Sequence, residues 1–85
     1  MTLERLNIAT KARFFQAVDT LVERGHSLRS ICYETRIDRR NLTSYRTRYD
    51  RVPSAWLAIV SAKYGISAEW LLLGKGKMFA SKREA

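Results

Sequence analysis

The chain has 85 residues and a formal net charge of +8, with a sequence pI near 10.3. That length holds one domain with a modest core, and 46% hydrophobic residues are enough to fold it, which excludes global disorder. The positive balance favours a polyanionic partner, a nucleic acid or an acidic membrane surface. No apolar run reaches the ~20 residues that span a bilayer, so the membrane option is the weaker of the two. Cys32 has no second cysteine to pair with, and no histidine or cysteine cluster offers a zinc site. With one His, one Cys and scattered carboxylates, no nucleophile, base and orienting group assemble; no catalytic residue, cofactor or small-molecule substrate is expected.

Residues Met1 to Leu6 carry little pattern and are expected to be flexible, as is the polar end from Ala80 to Ala85. The opening MTLERLNIATK lacks a signal peptide's apolar centre, so a cytoplasmic protein is expected. The first clear helix runs from Lys11 to Arg24, with Thr10 or Asn7 as its N-cap. Phe14, Phe15, Ala17, Val18, Leu21 and Val22 form its broad apolar face, and Gly25 ends it. His26 sits in a loop without partners and reads as an ordinary surface residue.

Ser27 caps a second helix with Leu28, Ile31 and Cys32 on its inner side. Thr35-Arg36-Ile37 is a tight connection, and Asp38 caps a third helix at the positive end of its dipole. In that helix Leu42, Tyr45 and Tyr49 follow a three-then-four spacing that makes one buried stripe. Arg40, Ser44 and Thr47 fall on the opposite side, with Thr43 beside them and Arg39, Arg46 and Arg48 on the flanks. An ordinary solvated helix mixes acids with bases at pair spacing. Here Arg36, Arg39, Arg40, Arg46, Arg48 and Arg51 meet only Asp38 and Asp50. Arginine's planar fork donates two parallel hydrogen bonds to phosphate or to a guanine edge, so this outer face points to nucleic acid.

Pro53 stops the third helix, and a fourth opens at Pro53 or Ser54. It buries Trp56, Leu57, Ile59, Val60 and Tyr64 and ends at Gly65. Ser67 caps a fifth helix containing Trp70, Leu71, Leu72 and Leu73, closed by Gly74. Four successive large apolar residues cannot all face inward on one helix. The surplus at Trp70, Leu72, Leu73, Met78 and Phe79 therefore marks either core packing or the seam of a homodimer. Gly74-Lys75-Gly76-Lys77 lacks the strand and spacing of a phosphate-binding loop and reads as a helix end with a basic tail.

Taken together, these elements resemble the Cro/lambda-repressor type of helix-turn-helix domain over about Lys11 to Met78. The most specific part is the close, V-S-A-K-Y-G-I-S-A-E-W-L-L-L-G-K-G from Val60 to Gly76. Cys32 matches the small residue where the two motif helices cross. The resemblance implies an all-α, compact five-helix bundle over residues 1–85, a single domain with the helix-turn-helix formed by the second and third helices. It implies a cytoplasmic, nucleoid-associated regulator of prokaryotic or phage type, binding double-stranded DNA as a two-fold dimer. The first, second and sixth residues of the third helix, Arg39, Arg40 and Ser44, would meet base edges in the major groove. Thr43 and Thr47 would lie at the boundary of base and phosphate. Arg29, Arg36, Arg46, Arg48 and Arg51 would meet phosphates. Three departures stand out: Arg36 replaces the usual turn glycine, Arg46 stands where many members carry Glu, and Leu28 replaces a frequent Gln. The same fold also serves as an antitoxin-like or adaptor module that contacts protein. Single-stranded nucleic acid or RNA is a further option through Tyr33, Tyr45 and Tyr49.

Overall fold

A computed structural model describes residues 2–80. They form five helices: α1 (Leu3–Glu23), α2 (Leu28–Thr35), α3 (Arg39–Arg48), α4 (Ser54–Tyr64) and α5 (Ala68–Leu73). Of the end expected to be flexible from Ala80 to Ala85, Ala80 is placed, its N–H donating to the Gly65 carbonyl, and residues 81–85 lie outside the described residues.

The first helix starts about two turns earlier than Lys11. Thr2, not Thr10, is its N-cap: the Thr2 hydroxyl accepts the Arg5 N–H at 3.2 Å, and Glu4 suits the first turn. No Gly or Pro interrupts Thr2 to Lys11, so nothing breaks the helix between that cap and Lys11. Residues 3–6, expected to be flexible, are thus helical. The inner side of α1 is as expected except at Val22, which is exposed.

Ser27, Asp38 and Ser67 cap α2, α3 and α5 through their side chains, accepting from Ser30, Asn41 and Trp70 N–H groups. Between α2 and α3, Arg36 takes a left-handed conformation, with φ 63° and ψ 24°; among the described residues it is the one non-glycine with positive φ. The connection keeps its shape because Ile37 is buried behind it. The Thr35 hydroxyl, also buried, donates to the Ile31 carbonyl at 2.7 Å.

The core gathers Phe14, Val18 and Leu21 of α1, Ile31 of α2, Val60 of α4, Ile66 of the α4–α5 connection and Leu71 of α5, all essentially without solvent exposure. Phe14 meets Phe15 edge-on at 5.0 Å and lies 5.9 Å from the half-buried Trp56. The chain then folds back on itself. Ser67 N–H donates to the Met78 carbonyl at 2.7 Å, and Ala80 N–H to the Gly65 carbonyl at 2.8 Å, a single bridge around Ile66 and Phe79. The Arg24 guanidinium covers the Phe79 ring at 4.0 Å. Trp70, Met78 and Phe79 are therefore half-buried against the chain's own core, while Leu72 and Leu73 stay exposed at 47% and 59%.

Arg13 of α1 fastens α5. Its Nε donates to the Leu71 carbonyl at 2.8 Å and its Nη2 to the Leu72 carbonyl at 3.1 Å. These are carbonyls at a helix end, which have no partner within the helix. Gly74 follows in a left-handed conformation, and a Cβ there would stand 3.1 Å from Arg13 Nη1.

Candidate nucleic-acid interface

Helix α3 buries one residue, Leu42. Tyr45 is half-buried, its ring 5.0 Å from Trp56. Tyr49, expected in the buried stripe, is instead 49% exposed. The reason is local: α3 stops at Arg48, Tyr49 has extended backbone as its C-cap, and the helical spacing no longer applies to it. Its ring lies against Tyr45 with centroids 4.6 Å apart and planes tilted by 38°.

The other side of α3 is uncovered. Arg39, Arg40, Thr43, Thr47 and Arg48 are exposed and Ser44 is half-buried. Asp38, Arg39, Arg40, Thr43 and Ser44 together line a shallow concavity of about 690 Å³. Arg39, Arg40 and Arg48 have no ion-pair partner among the described residues. The Asp38 carboxylate is engaged: it accepts the Asn41 N–H at 3.1 Å, at the positive end of α3. The Thr43 and Thr47 hydroxyls donate to the carbonyls four residues back, at 3.1 and 3.2 Å. Their protons are in use, so each oxygen offers lone pairs outward; donation to a phosphate requires the hydroxyl to rotate.

The remaining arginines divide. Arg29 on α2 is exposed, and so is Arg36, whose guanidinium lies 5.8 Å from the centre of the exposed Tyr33 ring. Arg51 pairs with its neighbour Asp50 at 3.2 Å, an exposed contact of little energetic weight. Arg46 is tied inward. Its Nη2 meets Asp19 of α1 at 2.7 Å, and its guanidinium lies 4.9 Å from the Phe15 ring. Arg46 thus joins α3 to α1, and part of its charge is answered within the chain.

One contributor is absent from the sequence reading. Lys11 of α1 donates through Nζ to the Tyr49 carbonyl, just past the end of α3. With Thr47 and Arg48 it lines a second concavity of about 430 Å³. No local signal marks it, because the contact joins residues far apart in sequence.

Cys32 is half-buried beside α3, and burial pushes its thiol up, against the opposing pull of Arg39. That environment suits a packed side chain at the meeting of two helices rather than a reactive thiolate. No group of three or more His, Cys, Asp or Glu that could hold a metal gathers among the described residues. None of their helices is long and apolar enough to cross a membrane. Compared with protein-family models, curated proteins and solved structures, the chain matches none.

Proposed function

We propose that α2 and α3 form a helix-turn-helix in a lambda-repressor-like domain, and that the protein binds double-stranded DNA sequence-specifically by laying α3 in the major groove. One observation carries this reading. The outward side of α3, from Arg39 to Thr47, is open, holds no acid, and is bordered by arginines without ion partners among the described residues. A helix with its side chains is about 10–12 Å across, and the major groove is about 12 Å wide.

In this reading Arg39 and Arg40 face guanine O6 and N7, each as a two-pronged donor. Ser44 and Thr43 complete the base-facing set; with its proton held by the Arg39 carbonyl, Thr43 accepts from an adenine or cytosine amino group or meets a thymine methyl. Arg29, Arg36, Arg48, Arg51 and Thr47 face phosphates, and release of counterions makes the affinity fall with salt. Lys11 joins them from α1. Arg46 takes part only as far as its bond to Asp19 opens. The function that follows is transcription regulation of prokaryotic or phage type, in the cytoplasm at the nucleoid.

The decisive experiment is selection from random duplex DNA, followed by binding of Arg40→Ala to the enriched site. The variant should lose about 1–3 kcal/mol on that site and tolerate any base at one position. No enriched sequence, or an equal loss on every duplex, defeats base reading.

A further inference from the structure

Just past the last turn of α3 lies a concavity that the proposed reading of DNA leaves unused. Tyr45, Tyr49, Asp50, Arg51, Val52 and Pro53 line it, and its volume is about 390 Å³. Pockets that hold small molecules run from about 300 to 1,000 Å³. The floor is aromatic. Trp56 braces Tyr45, and Tyr49 leans on Tyr45 while half of it stays in solvent. The wall is stiff, because Pro53 holds its own φ at −59° and restricts Val52 before it. Where floor and wall meet, the Lys11 Nζ bond to the Tyr49 carbonyl anchors the backbone.

The rim carries one charge of each sign, and neither is fully engaged. The contact between Asp50 and Arg51 uses Oδ1 and Nε, and both side chains remain largely in water. Asp50 Oδ2 and both Nη groups of Arg51 have no ion-pair partner among the described residues. An exposed pair of this kind weighs little, so a ligand can take its place.

We propose that this concavity binds a guanine mononucleotide. The base lies on the floor made by Tyr45 and Tyr49, since every base has a flat face that stacks on an aromatic side chain. Asp50 selects the base. A carboxylate only accepts hydrogen bonds, through two oxygens set side by side. On its pairing edge guanine donates from N1–H and from the adjacent amino group. Adenine, cytosine and uracil each offer one donor there, next to an acceptor that the carboxylate repels. Arg51, released from Asp50, turns its two Nη groups to the phosphate, which suits a planar fork. The +8 charge of the chain favours the approach of an anion. One aromatic platform closed off by Val52 and Pro53 takes one base. Arg39, Arg40, Thr43 and Ser44 do not line this concavity, so the proposal stands whether or not duplex DNA binds; Arg51 alone is common to both readings.

The test is isothermal titration of the full chain with guanosine 5′-monophosphate, adenosine 5′-monophosphate, guanosine, and a short guanine-containing single strand. The guanine nucleotide should bind with Kd below about 1 mM, and the adenine nucleotide and the nucleoside about tenfold more weakly. Inorganic phosphate at equal concentration should not displace it. Tyr49→Leu, which keeps apolar bulk against Tyr45, should weaken it about tenfold, as expected for one lost stacking platform. Asp50→Asn should remove the preference for guanine over adenine, and Arg51→Gln the advantage of nucleotide over nucleoside. All three positions lie outside the helices and reach solvent, so circular dichroism and melting should match the wild type. Should one variant fail to fold, the other two still decide. A Kd above that limit, equal binding of the two nucleotides, or folded variants that bind as the wild type does overturns the proposal. So does a single strand that binds when the mononucleotide does not.

Discussion

Arg36 allows stability and binding to be pulled in opposite directions. A residue with a Cβ held in the left-handed region loses about 1–2 kcal/mol relative to the right-handed one. Arg36 is held there, with φ 63°. Glycine removes that strain but gives back about 0.5–1 kcal/mol through the greater freedom of the unfolded chain. The guanidinium's stacking on Tyr33 is exposed and distant, at 5.8 Å, and contributes no more than about 0.5 kcal/mol. Comparing Arg36→Gly with Arg36→Ala cancels that loss, since both lack the guanidinium. The glycine variant should then be more stable than the alanine variant by about 0.5–1 kcal/mol, or about 4 °C in Tm for a domain of this size. Thermal melts followed by circular dichroism measure the difference. If Arg36 meets a phosphate, both variants should also lose about 0.9 from the slope of log affinity against log salt. The strain argument fails if the alanine variant melts level with or above the glycine variant.

Three further outcomes are expected. Arg13→Met should lower stability by about 1–2 kcal/mol in urea unfolding, because two carbonyls at the end of α5 lose their donor; an unchanged midpoint would mean water replaces it without loss. Tyr64 should titrate near 12: burial raises its phenol, and so does donation to Glu34 at 2.7 Å. Its folded value lies above the ordinary 10, so its contribution to stability is complete below pH 10 and disappears as pH rises through about 12. Glu34→Gln should bring the ultraviolet titration of Tyr64 down, and an unmoved curve rules out the Glu34 contribution. Arg48→Ala should weaken binding to all duplexes alike and flatten the salt slope by about 0.9; a full slope takes Arg48 off the backbone.

Helix ends were the most legible part of this chain. Ser27, Asp38 and Ser67 cap as their residue types dictate, because a cap is set by a few neighbouring atoms. Arg36 was marked only by the resemblance, standing where the turn glycine is usual; its left-handed backbone comes from the structure. The start of α1 was not legible, since Thr2, Asn7 and Thr10 are all acceptable caps and only packing against the rest of the fold chooses among them. Periodicity misplaced Tyr49 because it assumes a helix that in fact stops one residue earlier. For the candidate interface, the outward arginines and hydroxyls of α3 followed from spacing alone. The engagement of Arg46 by Asp19 and the arrival of Lys11 did not, since both depend on where α1 passes. The ambiguity of Trp70 to Leu73 resolves only when the chain returns through Met78 and Phe79 to cover part of it.

Helix α3 is anchored by one buried leucine, a ring against Trp56, and two polar tethers to α1 at Asp19 and Lys11. With these contacts and the Arg46 guanidinium over Phe15 as its hold on the bundle, α3 should open at a lower free energy than the core helices. Whatever α3 grips must also still it, and part of the grip is spent doing so. If α3 reads DNA as proposed, how sharply it does so is set partly from α1, by an aspartate outside the proposed reading face.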